Sequence, residues 1–204
     1  MSIYWLAFFV LLWGYFHSLF ASLQFKAFVR RIFGPRSDRV YRIAYNLFAA
    51  ISFLAILIVA AFTPDRTLYV APFPLVALMI IGEFLAAAAL TVGLMQTDIL
   101  DFIGLRQMRG LKQKKTSKLV KDGLYRYVRH PLYTAGLAFI WLIPLMTARL
   151  LVINLALTVY VVIGAYVEES KLRQRFGSEY KDYAAITPMF IPYINKMRRR
   201  TQTK

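Results

Sequence analysis

The amino-acid sequence predicts an all-α, polytopic membrane protein with about five transmembrane helices, the last two forming a helical hairpin. Of its 204 residues 59% are hydrophobic, and the mean hydropathy is +0.51. Soluble domains are roughly 45–50% apolar. Several apolar runs also reach the ~20 residues that cross about 30 Å of hydrocarbon. Composition and run length therefore both place this chain in a membrane.

Three spans are predicted in the N-terminal part of the chain, at Ile3–Leu23, Tyr41–Phe62 and Phe73–Met95. The first of them has no basic region before it and no Ala-x-Ala pattern after it, which argues against a removable signal peptide. We therefore expect the first span to remain in the mature protein. We divide the chain here, into residues 1–95 with three spans and a C-terminal region of residues 96–204.

The fourth and fifth spans share one apolar block, Leu132–Val167. This block has about twice the length that one span needs. Pro144, Thr147 and Arg149 interrupt it near the middle. The interruption predicts a tight turn between two helices that return to the same side of the membrane.

The basic residues alternate with the predicted spans. Of the 26 Lys and Arg residues, 24 fall in three segments after the first, third and fifth spans, and only Arg66 and Arg149 lie elsewhere. The positive-inside rule assigns such segments to the cytoplasm, which places the N-terminus outside and the C-terminus inside. The basic tail Lys196–Lys204 is then explained by topology and by attraction to anionic lipid headgroups. No nucleic-acid-binding motif accompanies the net charge of +16.

Several classes of chemistry are excluded by composition. The chain has no cysteine, so disulfides, thiolate metal ligands and a cysteine nucleophile are absent. Its two histidines, His17 and His130, have no histidine or cysteine nearby in the sequence, and we therefore predict no metal site. Neither a dinucleotide-binding glycine pattern nor a Walker sequence is present.

Candidate functional residues lie in the polar segments on either side of the hairpin. In Gln96–Arg129, the longest polar interval, Asp98–Gln107 is interpreted as a short amphipathic helix, and Asp122-Gly123 predicts a turn in which Gly123 takes a positive φ. Pro131 suits the first turn of the next helix. Arg129 and His130 would thus lie at a helix N-terminus, where they could bind a carboxylate or phosphate. Arg129 could equally well extend to lipid headgroups.

Glu168 and Glu169 end the predicted fifth span, at a helix C-terminus where the macrodipole disfavours negative charge. Their position predicts a compensating cation or hydroxyl group. Because the hairpin returns this end to the membrane face of Arg129 and His130, cationic and anionic groups could converge on one zwitterionic ligand. Charged groups so close to hydrocarbon are functional-site candidates.

Two motifs that contain these residues resemble one family. The first runs from Leu119 to Gly136 and contains Gly123-Leu124-Tyr125-Arg126-Tyr127-Val128-Arg129-His130-Pro131-Leu132-Tyr133; the second begins at Glu168-Glu169 and ends at Pro192. This part of the chain, about 75 residues, is similar to the integral-membrane S-adenosylmethionine methyltransferases, which include isoprenylcysteine carboxyl methyltransferases and phospholipid N-methyltransferases. The N-terminal half resembles the methanethiol S-methyltransferase branch through three segments, His17–Ser22, Tyr41–Asn46 and Leu105–Gln107.

The resemblance implies that residues 96–204 form a methyltransferase region with a cofactor pocket on the cytoplasmic side. S-adenosylmethionine would be held by residues of both motifs, namely Gly123, Tyr125, Arg129, His130, Tyr133, Gly136, Glu168 and Glu169. Arg129 and His130 suit its carboxylate, either glutamate its ammonium or ribose, and Tyr133 its adenine. Arg129, Tyr133 and Glu169 are the catalytic candidates.

The methyl acceptor is the open part of this interpretation. The branch resemblance favours a small thiol such as methanethiol, with Arg106, Gln107 and Asn46 as candidates on the substrate side. An isoprenylcysteine-like carboxylate or a phospholipid amine are alternatives, as are a non-catalytic accessory protein of the same fold and a small transporter. The expected partners are thus a small or lipid-like acceptor and membrane lipids, without nucleic acid. Oligomeric state has no signature in the sequence.

Overall fold

The computed structural model describes residues 3–96, 103–109 and 118–192, which are almost entirely helical. The elements are α1 (Ile3–Ala21), α2 (Leu23–Phe33), α3 (Ser37–Ala61), β1 (Thr67–Val70), α4 (Leu75–Gln96), α5 (Leu105–Met108), a 3₁₀ turn (Gly123–Arg126), α6 (Pro131–Trp141), β2 (Leu145–Thr147) and α7 (Ala148–Ile186). Residues 98–102 of the short helix predicted at Asp98–Gln107 lie outside the described ranges; its last residues fall in α5.

Within the described ranges, four helices are long and apolar enough to cross a membrane: α1, α3, α4 and α7. This confirms a multi-pass, all-α membrane fold. The fourth predicted span is shorter than expected, because α6 has 11 residues and so rises only about 16 Å at 1.5 Å per residue. The helix ends at Trp141, three residues before Pro144, which cannot continue a helix.

The described residues form two compact units. The first contains those of Met1–Val76, Thr97–Lys115 and Pro144–Val162, and the second contains those of Ala77–Gln96, Thr116–Ile143 and Ile163–Lys204. Both units therefore draw on residues from each side of the chain division at 95/96. In the first unit, α1, α3 and the start of α7 share an apolar core that contains Leu6, Val10, Ile56, Ala60, Ile153 and Ala156.

A short antiparallel ladder closes the end of the first unit. It pairs β1 with β2, with Thr67 opposite Thr147 and Val70 opposite Leu145. Arg149, which interrupts the apolar block, donates from Nε to Oδ2 of Asp65 at 2.6 Å and also bonds the carbonyl of Ala60. At the edge of a membrane, non-helical backbone must find internal partners. The ladder and the Arg149–Asp65 pair supply them where the sequence predicts only a turn.

In the second unit, the N-terminus of α6 is joined to the chain after α7. The amide of Arg129 donates to the carbonyl of Pro188 at 2.8 Å, and the amide of His130 donates to that of Met189 at 3.1 Å. Within α7, Gly177 has φ 54° and ψ −124°, a conformation that glycine tolerates and that kinks the helix. The segment after α7 can therefore lie against the start of α6.

Candidate functional site

The two motifs of the C-terminal region meet in the second unit through an ion pair. Arg129 donates from Nε to Oε1 of Glu169 at 2.6 Å, and its Nη2 lies 2.6 Å from the same oxygen. The side chain of Glu169 is only 3% exposed, and that of Arg129 is 13% exposed. The expected convergence of cationic and anionic groups is therefore present. The predicted helix C-terminus at Glu168 and Glu169 is wrong, because α7 continues beyond them to Ile186.

Arg129 also binds backbone carbonyls with its remaining terminal nitrogen. Nη1 donates to the carbonyl of Thr187 at 2.6 Å and to that of Ala184 at 3.1 Å. A guanidinium has five N–H donors; three of them donate these hydrogen bonds, and Nη2 belongs to the ion pair with Glu169. Arg129 is thus largely engaged within the protein, and holds the end of α7 and the segment after it against the start of α6.

The second glutamate has a different environment. Glu168 has a side chain that is 47% exposed, and its Oε2 accepts a hydrogen bond from the Tyr133 hydroxyl at 2.9 Å. Glu169, by contrast, also accepts from Arg173 at 3.1 Å and is enclosed. The sequence does not distinguish the two glutamates, but the structure does: Glu169 is a buried member of an ion pair, and Glu168 is an accessible carboxylate.

His130 lies between these groups and is buried. Its ring is stacked on that of Tyr133, with centroids 5.4 Å apart and an interplanar angle of 8°. Burial lowers the pKa of His130 below its usual 6.5, and this outweighs the opposite effect of Glu168 and Glu169. Burial thus favours the neutral imidazole over the charged form.

A cavity of about 180 Å³ adjoins the accessible carboxylate. Its wall contains Glu168 and Arg129, two further cations and a group of aromatic side chains; the lining residues beyond these two include Lys118, Tyr125, Arg175, Phe176, Tyr180 and Tyr183. The guanidinium of Arg175 lies 5.1 Å from the centroid of the Phe176 ring. Opposite charges and flat rings thus border one concave surface.

Three more predicted residues lie around this site. Gly123 has φ 63°, as its turn requires, and a Cβ there would come within 2.4 Å of the Gln96 side chain. Tyr125 lines the cavity, and burial raises the pKa of its hydroxyl. A Cβ on Gly136 would meet no atom within 4 Å, so open space lies beside this residue. All eight predicted residues belong to the second unit; their roles toward a ligand remain predictions.

The predicted site lacks several lining or supporting residues, among them Lys118, Arg173, Arg175 and Phe176. Arg173 follows Glu169 by four residues on α7, and this spacing places the two side chains on one face. That signal was available in the sequence. Lys118 and Arg175 carried no such signal, because each is one among many basic residues near the membrane surface.

The first unit contains a polar cluster of its own, built from the other motif segments. His17 Nε2 lies 2.6 Å from the Tyr45 hydroxyl. Trp13 and Tyr160 contact the same imidazole ring, with centroids 4.9 and 5.7 Å away. Among the described residues, no three His, Asp or Glu side chains could together hold a metal ion.

Comparison with known proteins agrees with the fold and with the motifs. The sequence profile of the Phospholipid methyltransferase family matches residues 75–179. The chain is 31% identical over 186 residues to a methanethiol S-methyltransferase of Crocosphaera subtropica, covering 88% of this chain and 71% of that one. It is 37% identical over 111 residues to methanethiol S-methyltransferase 2 of Bradyrhizobium diazoefficiens, covering 52% and 42%.

A further relative is named for a different methyl acceptor. Protein-S-isoprenylcysteine O-methyltransferase B of Arabidopsis thaliana is 28% identical over 124 residues, covering 58% of this chain and 57% of that one. No solved structure matches the chain. The apolar multi-helix fold and these matches together indicate the class of integral-membrane methyltransferases. The chain belongs to the Phospholipid methyltransferase family, and it is a methyltransferase.

We expect Arg129→Ala to lower the free energy of unfolding by about 3–5 kcal/mol, because it leaves Glu169 buried without its main partner. Arg129→Lys keeps a positive charge beside Glu169, so its loss of stability should be smaller. Some loss remains, because one ammonium cannot reach both the carboxylate and the two carbonyls. Thermal and denaturant unfolding of the detergent-solubilised protein measures both effects. Lys181→Ala, which removes an exposed cation from the same unit, should change stability by less than about 0.5 kcal/mol. Equal losses in Arg129→Ala and Lys181→Ala would contradict the assignment.

Proposed function

We propose that this protein transfers a methyl group from S-adenosylmethionine to a small thiol at the membrane, with methanethiol as the leading candidate. The observation that carries the proposal is the cavity beside Glu168, where an accessible carboxylate, two cations and aromatic rings adjoin one another. A methyltransferase needs a methyl donor, and this donor is a zwitterion with a flat base. The residues present are of the types that such a ligand requires.

The cavity fits one end of this cofactor. Pockets that enclose a whole drug-sized ligand measure roughly 300–1,000 Å³, whereas this one measures about 180 Å³. Glu168 would accept from the ammonium group, and Lys118 or Arg175 would bind the carboxylate through charge-assisted hydrogen bonds. Tyr125 and Phe176 offer rings for apolar contact. The amino-acid end of the cofactor therefore fits this wall best.

Among the predicted catalytic residues, we assign Arg129 and Glu169 to positioning. Arg129 donates three hydrogen bonds within the protein and pairs through Nη2 with Glu169, so most of its guanidinium is engaged by the framework. The ion pair would hold α6 and α7 so that Tyr133 and Glu168 keep their hydrogen bond at the cavity. Tyr133, whose hydroxyl donates to the accessible carboxylate of Glu168, then remains as the catalytic candidate.

When bound, S-adenosylmethionine supplies an electrophilic methyl group on a sulfonium, so the protein needs no covalent intermediate. Its contribution is to orient the two reactants and to exclude water. Burial of His130 and its contact with the Phe190 ring favour exclusion of water on this side of the site. A thiol is a suitable acceptor for such a site, because it loses its proton far more readily than an alcohol does.

The acceptor assignment rests on the relatives named for methanethiol, two of which cover more than four fifths of this chain. The relative named for isoprenylcysteine keeps a lipid-like carboxylate as the second candidate. The family description keeps a phospholipid amine as the third. A non-catalytic role is disfavoured, because the charged residues of both motifs are present and contact one another.

We further propose that the N-terminus lies outside and the C-terminus in the cytoplasm, since 24 of 26 basic residues follow alternate predicted spans. Because the chain lacks cysteine, single cysteines can be introduced as unique labels. In spheroplasts, a membrane-impermeant maleimide should label Arg66→Cys directly. It should label Ser178→Cys only after permeabilisation, and the reverse pattern would overturn the orientation.

We expect Glu168→Gln to weaken the binding of S-adenosylhomocysteine roughly tenfold or more, because one hydrogen bond to a charged group contributes about 1.5–3 kcal/mol. Isothermal titration calorimetry of the solubilised protein measures the affinity, and thermal unfolding checks that the variant is folded. Glu179→Gln is the matched control, since Glu179 lies on the same helix but pairs with Lys121 at the surface. Equal affinities in the two variants would refute the role of Glu168.

With methanethiol and labelled S-adenosylmethionine, the purified protein should form dimethyl sulfide, detected by gas chromatography. We expect an S-farnesylcysteine analogue and phosphatidylethanolamine to be methylated at least tenfold more slowly. Faster methylation of either one would move the assignment to the second or third candidate. Cofactor binding without methylation of any of the three would contradict the acceptor assignment and leave the cofactor site standing.

A further inference from the structure

Helix α2 joins two membrane spans and has the properties of a helix that lies in the membrane interface. It follows α1 after one residue, Ser22, whose hydroxyl accepts from the amide of Phe25 at 3.1 Å and so caps the helix. It ends at Phe33, and Gly34 is its C-cap before α3 begins. Because α1 and α3 both span the membrane, α2 lies at the membrane boundary between their ends. None of its residues is fully buried.

The apolar side of α2 is only partly covered by the protein. Phe25 and Val29 are half-buried in the first unit, whereas Phe28, Ile32 and Phe33 are 54%, 57% and 72% exposed. Polar and apolar residues are segregated around the helix, and the overall hydrophobicity is low. This combination is typical of helices whose apolar face enters the boundary between headgroups and acyl chains.

The charges around α2 are basic and only partly neutralised. From Leu23 to Arg42 the chain has six basic residues and one acid, Asp38. Asp38 pairs with Lys26 at 3.5 Å and with Arg30 at 3.4 Å. The guanidinium groups of Arg31, Arg36 and Arg39 are exposed, and no ion pair or hydrogen bond joins them to another residue that the structure describes.

The turn after α2 brings these three arginines near the exposed apolar residues along the chain. Arg31 lies in the last turn of α2, directly before Ile32 and Phe33, and Arg36 and Arg39 lie at the start of α3, three residues apart. Ser37 Oγ donates to the carbonyl of Gly34 at 2.7 Å and so closes the turn. We name this segment, Phe28–Arg39, the α2–α3 corner.

We propose that the α2–α3 corner is a binding site for anionic phospholipid. The exposed apolar residues would enter the acyl region of the leaflet, and the arginines would bind the phosphate and the negative charge of the headgroup. Guanidinium groups suit this task, because their planar forks match the geometry of phosphate. A zwitterionic lipid offers the same phosphate without net charge, so the corner should select the anionic lipid.

Native mass spectrometry of the full chain tests the proposal. The solubilised protein is mixed with equal amounts of dioleoylphosphatidylglycerol and dioleoylphosphatidylcholine, and the ratio of the two retained lipids is measured. We expect the wild type to retain the glycerol lipid at least fivefold in excess. In Arg31→Gln/Arg36→Gln/Arg39→Gln the excess should fall at least tenfold, or disappear if the wild-type excess is smaller than tenfold. The reason is that each cation contributes roughly fivefold near an anionic surface.

A charge-matched control separates a site from general attraction. Arg66→Gln/Lys171→Gln/Lys181→Gln also removes three exposed cations and should keep the wild-type lipid ratio. Phe28→Ser/Ile32→Ser, which keeps every charge, should reduce retention of both lipids. S-adenosylhomocysteine binding and thermal unfolding verify that each variant is folded.

Four outcomes would overturn the proposal. The first is an equal loss of selectivity in the control triple variant, and the second is no preference in the wild type. The third is unchanged retention of both lipids in the apolar double variant. The fourth is displacement of the bound lipid by 10 mM inorganic phosphate, which would identify a site for free phosphate instead of a lipid.

Discussion

The ion pair between Arg129 and Glu169 is the interaction on which the candidate site depends. It joins the start of α6 to α7, and the same guanidinium binds the carbonyls of Ala184 and Thr187. Burial makes such a pair costly when one partner is lost. The pair also fixes where Glu168 and Tyr133 lie, because Glu168 directly precedes Glu169 and Tyr133 follows Arg129 by four residues. The proposed site for a small zwitterion thus rests on a buried framework.

The two glutamates illustrate how neighbouring residues of one type take different roles. On a helix, consecutive positions are about 100° apart, so Glu168 and Glu169 cannot face the same way. Glu169 faces Arg129 and Arg173, and Glu168 faces the cavity with Tyr133 as its neighbour. Because Glu169 pairs with Arg129 and Arg173, the Glu168 carboxylate is left accessible for the ligand that we propose.

Function in this protein also depends on the boundary between lipid and water. The cavity beside Glu168 is bordered by basic residues of the kind that collect at the cytoplasmic face, and the α2–α3 corner places further cations beside exposed apolar residues. A volatile thiol can reach such an enzyme from the membrane or from water. Anionic lipid at the corner would hold the first unit at a fixed depth in the leaflet.

The sequence by itself determined the class of fold, the three N-terminal spans and the two motifs, because span length and charge alternation are properties of the linear chain. It did not determine that α6 ends after 11 residues, that the turn before α7 pairs with β1, or that Arg149 binds Asp65. Nor did it separate Glu168 from Glu169, or show that Arg129 is engaged by carbonyls some 55 residues away. These features follow from contacts between distant segments and from burial, which only the folded chain decides.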